Sequence, residues 1–314
     1  MNHPTNVKKN ARINVVLNQQ AQGISTDDWL QTEEEKQTHD TLIRFEEQLK
    51  QYVGLDEVKR LVKEIYAWLY MNQRRELQGL KTNKQVLHMI FKGNPGTGKT
   101  TVARVIARFF HDMKVLSKGH FIEAERADLV GEYIGHTAQK TRDLIKQASG
   151  GVLFIDEAYS LARGGEKDFG KEAIDTLVKG MEDKLHDFIL ILAGYSKEMD
   201  HFLSLNPGLP SRFPITIDFP NYSTQELMEM IHGMARERDY QLSKDAEQLV
   251  RDHIKHIRVE NEATFSNGRY MRNLIEKAVR HQAVRLMKYH LYERQALISL
   301  TAEDFKFYET HDKL

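Results

Sequence analysis

The chain has 314 residues, 45 Lys plus Arg against 45 Asp plus Glu, and no cysteine. The balanced charge excludes a global basic field that would hold nucleic acid nonspecifically, and the missing thiols exclude disulfide frameworks, thiolate nucleophiles and thiolate zinc sites, as suits a reducing compartment. The length exceeds one usual core and predicts a large domain with a smaller one, while none of the 14 histidines stands in a ligand spacing such as H-E-x-x-H.

Met1 to about Asp40 is polar, rich in Asn, Gln, Thr and Glu, and lacks apolar periodicity, so residues 1–40 are expected to form a loosely ordered extension, a candidate docking arm. Its run "NVVL" is too short for a signal core, and no other run approaches the ~18 apolar residues of a membrane helix. A soluble, cytoplasmic protein without membrane contact is expected. From Thr41, "LIRFEEQLKQYVGLDEVKRLVKEIYAWLYMNQRREL" carries apolar residues at helical spacing, and "YVG" predicts two helices broken at Gly54. Strand-length apolar runs then alternate with amphipathic segments. They are "VLHMIFKG" with a helix from about Thr100, "GHFIEAER" with "TAQKTRDLIKQA", "GVLFIDEA" with "KEAIDTLVKGMEDKL", then "DFILILAGY" and "FPITIDFP". The alternation predicts an α/β domain over residues 41–220, a parallel five-stranded sheet flanked by helices on both faces. After "FPNYS" the strands stop, and residues 221–314 read as an all-helical lid built on "TQELMEMIHGMARERD", "KDAEQLVRDHIKH" and "RYMRNLIEKAVRHQAVRLMKYH".

The first strand runs into Gly93, Asn94, Pro95, Gly96, Thr97, Gly98, Lys99, Thr100 and Thr101. Gly93, Gly98, Lys99 and Thr100 satisfy G-x-x-x-x-G-K-[ST] between a strand and a helix, the context this motif requires. Its glycines let successive N–H groups curl inward around a phosphate, and the helix start adds the positive end of its dipole. Pro95 stiffens the turn beforehand. Lys99, expected on a solvent-facing loop where it packs no core, would reach the β and γ phosphates of ATP, and the Thr100 hydroxyl would bind Mg²⁺. "GVLFIDEA" ends a second buried strand in Asp156 and Glu157. Asp156 is expected to hold Mg²⁺ through water and Glu157 to orient and activate the attacking water, because phosphoryl transfer needs placement and charge compensation more than covalent help. Hydrolysis as well as binding is therefore expected.

"GNPGTGKTTVARVIA", "DLVGEYIGHTAQKT", "GVLFIDEAYSL", "ILAGYSKEM" and "NPGLPSRF" resemble segments of AAA+ ATPases, over roughly Gln51 to the C-terminus, and within them the CbxX/CfqX branch, which includes the activase of red-type Rubisco. The resemblance implies a P-loop NTPase fold of the AAA+ type. "YVGLDEVK" is similar to the segment that lines the adenine pocket, placing Val53 and Gly54 near the base. Arg212 in "PSRF" falls where the family carries an arginine finger that completes the neighbouring subunit's site. Arg269 in "NGRYMRN" resembles the second sensor, reaching the γ phosphate from the lid, with Arg272 as its competitor. "GEYIGHT" puts Tyr133, Ile134 and Gly135 on the aromatic, aliphatic, glycine loop that lines the axial pore of translocating hexamers and grips an extended polypeptide.

The fourth strand departs from the family pattern. It ends "LAGYS" where many AAA+ proteins place a water-positioning asparagine, so Tyr195 or Ser196 stands in its place and the sequence does not choose between them. The resemblance as a whole implies an ATP-driven homo-oligomer, a hexamer, that pulls on a protein client of unknown identity, with sporulation as its setting. A nucleotide-gated scaffold and a nucleic-acid loader of the same fold are the alternatives, and the zero net charge disfavours the loader.

Overall fold

A computed structural model describes residues 39–50, 52–82, 85–133, 135–164, 168–260 and 264–307. The N-terminal extension expected over 1–40 lies, but for its last two residues, outside the described residues.

Two helices precede the sheet, α1 (Asp40–Lys50) and α2 (Asp56–Leu77). The break foreseen at Gly54 is sharp, because Gly54 and Leu55 both take left-handed backbone, φ 73 and 68. Leucine adopts that conformation at a cost of roughly 1–2 kcal/mol, so the surrounding packing must hold it there. The sheet domain follows as β1 (Met89–Gly93), α3 (Lys99–Asp112), β2 (Phe121–Ala124), α4 (Arg126–Leu129), α5 (His136–Gln147), β3 (Val152–Ile155), a 3-10 turn (Ala158–Ala162), α6 (Gly170–Asp183), β4 (Ile189–Gly194), α7 (Ser196–Leu205) and β5 (Ile215–Phe219). The five strands pair in the order β2-β3-β4-β1-β5, every pair parallel.

Period-two alternation sends successive strand residues to two cores. Met89, Phe91, Val152, Phe154, Ile189 and Ile191 join the core under α1, α2 and α3. Ile90, Leu153, Ile155, Leu190 and Leu192 join the one under α5, α6 and α7. Burying each such side chain contributes roughly 1.5–3 kcal/mol, which is why these strands read as continuous apolar runs and not as apolar/polar alternation. The register also positions the site. Ile155 pairs with Leu192 and Phe91 with Ala193, so Asp156 and the loop after β1 open on the same carboxyl-end edge of the sheet, the edge where open α/β sheets bind ligands.

The C-terminal region comprises α8 (Thr224–Arg236), β6 (Gln241–Leu242), α9 (Lys244–Glu260), α10 (Asn267–Tyr289), α11 (Arg294–Ile298) and β7 (Ser299–Leu300). A reciprocal capping box of Ser223 and Glu226 starts α8, satisfying backbone donors that a helix start leaves open. Leu227, Ile231, Val250, Ile254, Met271 and Ile275 fill a third core. This lid, expected to be all-helical, is helical with one correction: β6 and β7 form a two-residue parallel ladder, Gln241 beside Ser299 and Leu242 beside Leu300. The ladder exists because the returning tail is fastened elsewhere. Buried Gln282 donates to the carbonyls of Ala296, Leu297 and Ser299 at 3.1, 3.0 and 2.9 Å, and Arg285 grips buried Asp304 with two bonds of 2.8 Å. Two residues per strand are too few for alternation to register in sequence. Among the described residues no helix is long and apolar enough to cross a membrane.

Candidate functional site

Gly96 and Gly98 sit at φ 68 and 96 in the loop between β1 and α3, and at Gly96 the lack of a side chain is demanded twice. A Cβ there would overlap the Ser266 carbonyl oxygen and stand 2.7 Å from the Arg269 amide. The loop is thus pressed directly against the start of α10, and Gly268 donates its amide to the Gly96 carbonyl at 3.1 Å. Buried Thr97 closes the turn by donating to the Asn94 carbonyl at 2.8 Å. The loop ends at the N-terminus of α3, whose open N–H groups and dipole favour an anion.

Lys99 is not on the solvent-facing loop where the sequence reading puts it. It is the first residue of α3, and its Nζ turns in to donate to the carbonyls of Gly93 at 2.7 Å and Asn94 at 2.9 Å. The reason is proximity: the curled loop aims those carbonyls at the helix start. Burial lowers the amine to about 8; the Arg269 charge pushes the same way, and Asp156 and Glu157 oppose it.

The loop floors a cleft of about 1540 Å³ walled also by the carboxyl edge of the sheet and by the lid. Pro95, Gly96, Gly98, Lys99, Thr100 and Thr101 line it from the loop; Asp156 and Glu157 line it from the end of β3, and Val53 from the segment before α2. Gly93, Asn94 and Thr97 stand behind this wall: Gly93 packs on Phe219, and Asn94 donates to Asn221 at 2.9 Å. Gly54 also stands back, against Tyr222 and Glu226. From the lid, Arg269 and Arg272 both reach the cleft, but it is the charge of Arg269 that bears on Lys99 and Tyr195.

Glu157 is held in left-handed backbone at φ 47, and its amide donates to Asp156 Oδ1 at 2.9 Å. A non-glycine residue held in such a conformation points to a functional constraint. Of the two candidates for the missing asparagine, Tyr195 lines the cleft, whereas Ser196 is exposed at the start of α7. Burial raises the Tyr195 phenol, and Glu157 and Asp156 add to the rise. Among the described residues no cluster of three or more His, Asp or Glu could hold a metal alone. The cleft instead offers the Thr100 hydroxyl and the Asp156 carboxylate. That donor set fits Mg²⁺, which prefers hard oxygens and takes only one or two carboxylates with waters and phosphate oxygens. Thr100 and Asp156 would hold it, and the ion would supply charge compensation at the phosphates.

Two expected residues stand apart. Arg212 is not in the cleft wall: it pairs with Glu182 and donates to the Gly208 carbonyl at 2.7 Å. Tyr133 is 65% exposed, its ring edge-on to His136 with centroids 5.3 Å apart. Gly135 beside it caps α5 at φ 85, and Ile134 lies outside the described residues.

The sequence reading misses a buried polar seam between the phosphate loop and the lid. Asn267, fully buried at φ 44, donates to Asn221 Oδ1 at 2.8 Å and to the Pro95 carbonyl at 3.3 Å, and accepts from the Tyr222 amide at 3.0 Å. Tyr222 donates its hydroxyl to the Thr97 carbonyl at 2.9 Å. The available signal was asparagine in "FPNYS" and "SNGRY" beside apolar runs, a residue that tolerates left-handed backbone and carries both a donor and an acceptor.

The family model described as "ATPase family associated with various cellular activities (AAA)" matches residues 89–221, and the model of the AAA lid domain matches residues 223–313. Over 310 residues the chain is 59% identical to Stage V sporulation protein K of Bacillus subtilis (strain 168), covering 96% of each. It is 43% identical over 256 residues to Protein CfxQ of Xanthobacter flavus, covering 81% of this chain and 80% of that protein. It is also 43% identical over 238 residues to the chloroplastic ribulose bisphosphate carboxylase/oxygenase activase of Cyanidioschyzon merolae (strain NIES-3377 / 10D), covering 76% of this chain and 80% of the activase.

Proposed function

The chain belongs to the AAA family of ATPases, and from that premise we propose that it is a ring-forming remodeller that converts ATP hydrolysis into traction on a protein client. Residues 41–220 act as the nucleotide-binding domain and 221–314 as its lid. The loop amides and Lys99 compensate the phosphates, Thr100 and Asp156 hold Mg²⁺, and Glu157 draws a proton from the attacking water. Val53 lies toward the base, and Gly54 behind it sets the turn that carries it there. Arg269 senses the γ phosphate from the lid. The observation that carries this reading is the convergence of Lys99, Asp156, Glu157 and Arg269 on one cleft from three separate parts of the chain.

Arg212 lies outside the cleft of its own chain, which supports its delivery to a neighbour's cleft and hence a homo-oligomer, a hexamer. Tyr133, in the motif it shares with Ile134 and Gly135, grips the client, and its exposed ring suits a sequence-tolerant apolar grip at an axial pore. Likeness to a sporulation protein supports sporulation as the setting, and likeness to an activase supports a protein client. The work takes place in the cytoplasm, where ATP is supplied.

The test is a trap. Tagged Glu157→Gln protein with ATP should form an oligomer by analytical ultracentrifugation and retain a set of proteins that Glu157→Gln/Tyr133→Ala does not retain. Tyr133→Ala alone should hydrolyse ATP within a few fold of the parent, since the ring lies outside the cleft. Identical captured sets, or a chain that stays monomeric with ATP, would overturn the proposal.

A further inference from the structure

Beside Glu157 the cleft wall holds an aromatic pair that the phosphate scheme leaves unused. Tyr159, in the 3-10 turn, is 5% exposed and lines the cleft. Its ring is fixed on three sides. It stacks on Tyr195 with centroids 5.8 Å apart, and the Arg163 guanidinium covers it 4.7 Å from the centroid. It also fills the space left by Gly194, where a Cβ would stand 2.7 Å from its Cδ1. Such packing would be served as well by phenylalanine.

The hydroxyl is what packing does not explain. It is buried and makes no hydrogen bond of ordinary geometry, an arrangement that costs about 1–3 kcal/mol, and the acceptor close enough to act on it is the Glu157 carboxylate. Burial and the neighbouring Glu157 charge raise its pKa, so it keeps its proton and remains a donor. Glu157 itself is exposed on a constrained backbone at φ 47, its side chain close enough for its charge to reach Tyr159.

We infer that Tyr159 is a positioning residue for hydrolysis: its hydroxyl donates a hydrogen bond to the Glu157 carboxylate when that side chain turns in to activate water, and the stack on Tyr195 holds the ring for that contact. This rests on the role proposed for Glu157.

In the full chain, Tyr159→Phe keeps the ring and removes only the hydroxyl. Its kcat should fall about tenfold, the value of one hydrogen bond to a charged group, while KM for ATP and the Kd of a non-hydrolysable ATP analogue stay within about twofold. Its melting temperature should hold or rise. Glu157→Gln, measured in parallel, should bind the analogue and lose turnover; if it hydrolyses ATP like the parent, the role of Glu157 fails and the inference falls with it. If Glu157→Gln is inactive while Tyr159→Phe matches the parent in kcat, the inference alone is overturned. A kcat loss in Tyr159→Phe with equal loss of analogue affinity and a lower melting temperature also overturns it, and assigns the tyrosine to packing.

Discussion

Two glycine-bearing loops lead into helices of this chain, and their surroundings are opposite. Gly96 and Gly135 share left-handed backbone, φ 68 and 85. A Cβ on Gly96 would collide with the backbone of Ser266 and Arg269, whereas one on Gly135 would meet nothing within 4 Å. The phosphate loop is bonded to Tyr222, Asn267 and Gly268 of the lid side. Among the described residues the Tyr133 loop bonds to its own helix and its base: the His136 amide donates to the Tyr133 carbonyl at 3.1 Å, Gly131 donates to Thr137 at 2.9 Å, and Lys140 donates to the carbonyls of Ala127 and Val130. A site for a small, rigid anion gains from N–H groups fixed in advance, since ordering them on binding would cost affinity. A grip on varied polymer surfaces gains nothing from such rigidity. One loop is therefore fixed against the lid by its own chain, and the other presents an exposed ring.

The largest expected effect lies with an arginine that the chain does not bring to its own cleft. Arg212→Ala should bind ATP normally and lose on the order of 10³-fold or more in turnover, as loss of an arginine finger does. Mixing it with Lys99→Ala protein should restore part of the activity at sites pairing an intact Lys99 with a neighbour's Arg212. Co-assembled mixtures no more active than their parts would argue against a site shared between subunits.

Within the fixed loop, Lys99→Ala should weaken ATP binding on the order of 100-fold, from about 3 kcal/mol for a charge-assisted bond, as read by calorimetry. It also removes the donor that the Gly93 and Asn94 carbonyls now share. Because the folded amine titrates at about 8, below its ordinary 10.5, ATP affinity should fall as pH rises through about 8, where the free protein loses that proton. Binding near pH 8 should take a proton up, seen as an enthalpy that varies with the buffer. Affinity flat between pH 7 and 9 would break the link between burial and phosphate capture.

The smallest effect is the sharpest comparison. Gly96→Ala and Gly135→Ala each incur roughly 1–2 kcal/mol of left-handed strain, and only Gly96→Ala adds roughly 1–3 kcal/mol of overpacking against backbone. Urea midpoints should separate the two, with ATP affinity lost only in Gly96→Ala. Equal destabilisation would mean that the lid yields more readily than its bonds suggest.

Legibility followed the range of the signal. The five strands and principal helices were readable because each apolar run carries its own period, and the phosphate loop because its chemistry sits in one contiguous stretch between strand and helix. The break at Gly54 was visible for the same reason. The β6–β7 ladder was not, since a two-residue pairing held by Gln282 and Asp304 leaves no pattern along the chain. Spacing puts Lys99 on a solvent-facing loop because it does not report where a curled loop points its carbonyls.

The sequence by itself determined which residues are apolar enough for two cores around one parallel sheet and which glycines, lysine and carboxylates could meet a phosphate. Only tertiary structure decided that Tyr195 and not Ser196 faces the cleft, that Arg212 pairs with Glu182 in its own chain, and that Asn267 joins Asn221 and Pro95 under the lid. The reason is physical. Backbone propensity and hydrophobic period act over a few residues, but a buried polar group must be satisfied by whatever folding carries to it, and for Asn267 and Pro95 those partners come from 172 residues apart.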